Sequence, residues 1–188
     1  MNYTASRLLE IALAEVGYYE KKSLSMLDDK TANAGSGNYT KYARDLDEIA
    51  FYNSRKIGYA WCDVFVDWCF VQAFGEEGAK ERTFQPRIFL FNKGAGCRYS
   101  YRYYAEEGRA FEVPLVGDQI FFTGGPGVGI CHTGLVYSLD ENYVYTVEGN
   151  TSAEEGVIPN GGTVAKKRYR RSDPRIAGYG RPDYKGHL

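Results

Sequence analysis

Two kinds of side chain in this sequence could together do nucleophilic chemistry: a thiol that attacks and an imidazole that carries the proton. The chain has four cysteines and two histidines. Cys62 lies in AWCDVFVDWCF, residues 60–70. On a helical wheel it shares a stripe with Phe65, Val66, Cys69 and Ala73, while Val64, Trp68 and Val71 make the other sides apolar too. A helix apolar nearly all round is a buried central helix. Its first turn carries unpaired N–H groups and the positive end of the helix dipole, and both favour thiolate, the nucleophilic form. Asp63 opposes this slightly. Cysteine is also among the most buried residue types, so packing alone would explain a thiol there. Cys97, in GAGCRYS beside Arg98, also stands at the start of an expected helix. It is a rival that helix position separates only weakly from Cys62.

A thiol nucleophile needs a general base. His187 is the second-last residue, where chains usually fray, which leaves His132. Its neighbour Cys131 points to the opposite face of a strand, so adjacency in sequence does not pair the two. The base in turn needs an acceptor that fixes its tautomer. Glu148 and Asn150, in VEGN, share one face of the next expected strand by the period of two. In an antiparallel hairpin their end returns beside the start that holds His132. The bland alternative is that both are strand-end residues making a turn.

The elements that must position these groups read as helices first and strands after. Thr4 caps a first helix running to about Val16, with Leu9, Leu13 and Val16 as its stripe and Gly17 as its end. NAGSGN (33–38) is a loop. A short helix is expected from about Tyr39 to Leu46, the central one from Trp61 to Phe74 with Gly75 as its stop, and a fourth from Tyr99 to Glu107. Beyond Pro114, GDQIFF, CHTGLVYSL, YVYTVEGN, GTVAKKRYR and IAGYGR read as short strands rich in β-branched and aromatic residues. LDEN (139–142) is a tight connection between the second and third of these. GGPGVG (124–129) has the glycines of a phosphate loop without its Lys-Ser/Thr pair or following helix, and reads as a hairpin tip. The pattern is α+β with an antiparallel sheet of about five to six strands.

Composition excludes several classes. At 44% apolar and 25% charged, 188 residues suit one soluble globular domain. A net charge of −1 argues for no polyanion partner, and KKRYRR (166–171) reads as a solvated strand face rather than a nucleic-acid patch. The 17 tyrosines suit either a wet aromatic groove or an aromatic-rich sheet. No C-x-x-C pair suggests zinc. Cys62 and Cys69, seven apart on one helix, lie too far apart to bridge, so free thiols are expected. The N-terminus, broken by Arg7, Glu10 and Glu15, is not a signal peptide, and no apolar run approaches membrane-spanning length.

WCDVFVDWCF, GDQIFF, CHTGLVY, VEGNTS, GGTV and GYGRP, in that order from Ala60 to Pro182, resemble the CHAP family of cysteine, histidine-dependent amidohydrolases and peptidases, relatives of the NlpC-type endopeptidases. The resemblance implies a single catalytic domain over 1–188 with a papain-like fold, acting on peptidoglycan. It maps the nucleophile to Cys62 rather than Cys97, the base to His132 and the orienting pair to Glu148 and Asn150. Some phage members carry an Asp-rich calcium loop before the nucleophile. Here that region is FYNSRKIGYA, without a carboxylate, so no metal and no cofactor are expected. The expected activity is cleavage of the sugar–peptide amide or of a bond within the peptide, by a monomer without nucleic acid or membrane insertion. Trp61 is expected to line the substrate groove. The protein would be made in the cytoplasm and released or exported to the bacterial wall, as a phage or prophage endolysin does; the lack of a signal peptide leans that way. Two other classes stay open: a non-catalytic wall-binding module of the same fold, and a cysteine amidase acting on another peptide or polyamine conjugate.

Overall fold

A computed structural model describes residues 3–84 and 95–184; His187 lies outside them. Helix α1 (Ala5–Ala14) starts where the sequence places it: Thr4 is extended and its Oγ1 accepts the Arg7 N–H at 3.2 Å. The buried stripe is Ala5, Leu8, Leu9 and Ala12, the i, i+3, i+4, i+7 pattern of an amphipathic helix. Leu13 and Val16, expected in that stripe, are only partly buried. The helix ends two residues early. Gly17, at φ +88°, sends its N–H to the Val164 carbonyl at 2.9 Å, so the chain leaves the helix to run along the last long strand.

Helix α2 (Lys41–Glu48) is capped by Thr40, which accepts the Ala43 N–H at 3.2 Å. Helix α3 (Cys62–Arg82) is the central one, burying Val64, Phe65, Val66, Trp68, Cys69, Phe70 and Phe74. Removing each of those large side chains from water contributes about 2 kcal/mol. Gly75 does break it, at φ +75° and ψ +170°, but helical structure resumes beyond it to Arg82, so Gly75 is a kink and not the end. Helix α4 (Cys97–Glu106) begins two residues earlier than expected, which makes Cys97 its first residue.

Among the described residues six strands follow: β1 (Ala110–Phe111), β2 (Gln119–Thr123), β3 (Ile130–Leu139), β4 (Tyr143–Thr151), β5 (Thr163–Arg170) and β6 (Ile176–Gly180). They form one antiparallel sheet in the order β1-β6-β2-β3-β4-β5. The two-residue β1 was not legible as a strand, being too short to show a period. LDEN closes β3 onto β4 because the Asp140 carboxylate accepts the N–H groups of Asn142 (2.8 Å) and Tyr143 (2.7 Å). GGPGVG joins β2 to β3, and β5 exposes Lys166, Arg168 and Arg170 while Lys167 and Tyr169 are buried.

The architecture is α+β. One core lies between the helices and the sheet, with Leu135, Val147 and Val164 meeting Trp61, Phe65 and Trp68. A second cluster holds Ile120, Phe122, Val136, Val144, Tyr169 and Tyr179. No helix among the described residues is long and apolar enough to cross a membrane.

Candidate active site

Cys62 is the first residue of α3. The first bond of that helix runs from the Phe65 N–H to the Trp61 carbonyl at 2.9 Å, so the three N–H groups before it have no acceptor within the helix. No side chain caps this end. Trp61 anchors it from behind: fully buried, its Nε1 donates to Glu20 at 2.8 Å, and its ring packs on Tyr18 and Tyr42. The expectation that Trp61 lines a groove is therefore corrected. A large ring with its one donor satisfied is core.

His132 is fully buried on β3, stacked on its cross-strand neighbour Phe122 with centroids 6.0 Å apart. Its Nε2 is 2.9 Å from Glu148 Oε2. Glu148 is itself fully buried and also accepts the hydroxyls of Thr146 (2.5 Å) and Tyr169 (3.2 Å). Pairing of Leu135 with Val147 sets Glu148 opposite Gly134. A Cβ at Gly134 would come within 2.4 Å of Glu148 Cγ, so the bare glycine is what lets the carboxylate lie across β3 and reach the imidazole.

Asn150 does not join this contact. It takes a left-handed conformation, φ +54°, its Oδ1 accepts the Gly162 N–H at 3.3 Å, and its backbone carbonyl accepts the Gly161 N–H at 2.9 Å. Its amide serves the irregularity between β4 and β5, leaving Glu148 as the residue placed against His132.

The Cys62 sulfur lies 3.5 Å from the Cys97 sulfur, so the two rival thiols are neighbours. All four cysteines are free of disulfides. The Cys62 thiol is pulled down to about 5. The hydrogen bond from Cys97 acts first; burial opposes it, the neighbouring His132 imidazole and its positive charge lower it further, and Asp63 pulls slightly the other way. Cys97 is pushed well above the ordinary thiol value by its bond to Cys62 and by burial. Burial works to lower His132, but its contacts with Cys62 and Glu148 win and raise it to about 10. His132 Nδ1 makes no hydrogen bond of good geometry, yet the sulfur is near enough for each group to shift the other. Both directions favour a thiolate–imidazolium pair, with the buried Glu148 side chain against the imidazole. It can deliver a sulfur nucleophile and return a proton to a leaving group.

Sequence reasoning missed the supporting residues. Asp63, buried, accepts the Gly96 N–H (2.9 Å) and the Ser100 hydroxyl (2.8 Å), tying the start of α4 to the start of α3. Gln119 spans Asp63 (3.4 Å) and Thr133 (3.1 Å). The two-residue spacing of Thr146 and Glu148 was a usable signal; Tyr169 needed the β4–β5 register. Two surface cavities, of about 250 and 240 Å³, lie away from these groups, one beside Tyr137 and Lys166 and one beside Asp47 and Arg55. Among the described residues no three His, Cys, Asp or Glu are grouped to hold a metal ion.

A family model described as the CHAP domain matches residues 54–150. A comparison with curated proteins found no match. Among solved structures, the crystal structure of Ly7917 aligns with a TM-score of 0.51 and 11% identity, over 95% of this chain and 62% of that one. That identity speaks to fold alone, and this chain spans less than two thirds of the length of Ly7917.

Proposed function

Since the chain belongs to the CHAP domain family, generally cysteine- and histidine-dependent amidases or peptidases, we propose that it hydrolyses an amide bond of bacterial peptidoglycan with Cys62 as nucleophile. The Cys62 thiolate adds to the carbonyl carbon, and the N–H at the start of α3 receives the developing oxyanion. The tetrahedral adduct collapses by breaking the C–N bond, and His132 gives its proton to the departing amine. A thioester then joins the acyl group to Cys62. His132, now neutral, takes a proton from water, whose oxygen attacks the thioester. The acid leaves, and the thiolate and imidazolium are restored. Glu148 holds the imidazole through Nε2, which leaves Nδ1 for the sulfur, and stabilises its positive form.

The observation that carries this reading is the buried 2.9 Å contact of Glu148 with His132, the imidazole that neighbours the Cys62 thiol. The test is clearing of a purified wall suspension. Wild type clears it, Cys62→Ala does not, and retained clearing in that variant refutes the nucleophile. Mass spectrometry of the digest reads the bond directly from the new amino termini, distinguishing the sugar–peptide amide from a bond within the stem or cross-bridge. Action on walls as a monomer, in the manner of a lysin, is part of the same proposal. A wall-binding module would bind the suspension without clearing it, and its four thiols would react with iodoacetamide at comparable rates.

A further inference from the structure

We propose that Cys62 and Cys97 close into a reversible disulfide when the protein meets a peroxide, masking the nucleophile until a thiol reductant opens the bond. The proposal rests on the reading of Cys62 as nucleophile, but the bond itself can be read independently of activity.

The geometry points to this pair. The two sulfurs already touch at 3.5 Å, and rotation about the Cα–Cβ bonds is the motion that would bring them toward the bond length of about 2.05 Å. Both residues open helices, and the Asp63 carboxylate holds those helix starts together through Gly96 and Ser100. The contact is thus built into the fold rather than left to two loose loops. Cys69 sits in the helix–sheet core, away from this cluster of Cys62, Cys97, Tyr104 and Phe121. Peroxides select the thiolate, and here the anionic sulfur has a protonated thiol against it, the arrangement of an oxidisable cysteine with its resolving partner.

The chemistry balances with hydrogen peroxide as the named oxidant. The Cys62 thiolate attacks one peroxide oxygen, the O–O bond breaks, and hydroxide leaves to take the proton of His132. Cys62 is then a sulfenic acid. The Cys97 sulfur attacks the Cys62 sulfur, the S–O bond breaks, and the hydroxyl departs as water with the Cys97 proton. Two thiol sulfurs have lost two electrons, and one peroxide has become two waters. Resolution by Cys97 competes with a second oxidation of Cys62 to the irreversible sulfinic acid.

The experiment treats the full chain with hydrogen peroxide, alkylates it, digests it with trypsin and reads masses. Cys62 falls in fragment 57–80 and Cys97 in 94–98. The expected product is these two fragments joined with loss of two hydrogens, fragment ions placing the bond on Cys62 rather than Cys69. Cleavage of walls drops by at least about tenfold and returns with dithiothreitol. Cys97→Ala, scored against its own reduced activity, gives sulfinic or sulfonic acid at Cys62 and regains less than about a tenth of that activity. Cys131→Ser still forms the 57–80 to 94–98 product. No joined product in wild type, or joining to the Cys131 fragment instead, overturns the proposal while leaving Cys62 as nucleophile. A joined product with undiminished cleavage overturns the masking and the nucleophile reading together.

Discussion

Cys62 and Cys97 occupy the same kind of place twice. Each is the first residue of a helix that no side chain caps, each is 6% exposed, and each has the other as its nearest sulfur. Their acidities nevertheless move in opposite directions. The helix start is common to both and cannot be the cause. What differs is the third group. Cys62 has the His132 imidazole, itself held by Glu148, whereas Cys97 is raised by Cys62, burial and the Asp63 charge against a small lowering by a backbone hydrogen bond. Two thiols in contact in a dry site do not both ionise. The one beside the cation gives up its proton, and the other keeps its proton and donates it as a hydrogen bond. A cysteine at a helix N-terminus is thus a poor predictor of a nucleophile until its imidazole is located.

The comparison breaks most sharply with the sulfurs themselves. Cys62→Ala lowers wall cleavage by at least about a thousandfold, whereas Cys97→Ala, which removes one donor to the thiolate, lowers it by about tenfold. Equal losses in a clearing assay would mean that the two places are equivalent after all.

Glu148→Gln comes next, with a loss of a hundredfold or more (about 10²–10⁴) because the imidazolium loses its counter-charge. The sign is explicit. Activity needs Cys62 deprotonated and His132 protonated, so in wild type it rises with pH through about 5 and falls through about 10. Removing the charge that raises His132 moves the alkaline limb down. The weaker imidazolium then holds the thiolate less well, and the acid limb moves up. A pH–rate profile that keeps both limbs would show that Glu148 does not act through His132.

Gly134→Ala leaves every reactive group in place but drives a Cβ into Glu148. It costs about 1–3 kcal/mol of stability by overpacking and lowers cleavage by about tenfold, measured by thermal melting alongside wall clearing. The smallest effects belong to the edge of the relay. Tyr169→Phe removes one hydroxyl from Glu148 and lowers the melting temperature by about 2–4 °C, with a few-fold loss of cleavage. Asn150→Ala costs a similar amount through its left-handed backbone but leaves the alkaline limb unmoved, since its amide serves Gly162. A shifted limb in Asn150→Ala, with none in Glu148→Gln, would reverse their assignment.

By itself the sequence determined the order of elements, because periodicity and caps are local. Thr4, the all-round apolar run after Cys62 and the Asp140 turn each carry their own signal, and the α+β arrangement with an antiparallel sheet of about five to six strands followed from them. It also limited the chemistry, since the chain offers two histidines and His187 is its second-last residue. Tertiary structure decided the rest. Glu148 and Asn150 are equivalent by the period of two, and only the β3–β4 register with the bare Gly134 sets one of them against the imidazole. Trp61 reads as a groove-lining aromatic until Glu20, 41 residues away, meets its indole N–H. The contact of Cys62 with Cys97 spans 35 residues and depends on Asp63 bridging two helix starts. Hydrogen bonds and ionisation depend on distances of a few ångströms between groups far apart along the chain, and one-dimensional spacing carries no record of those.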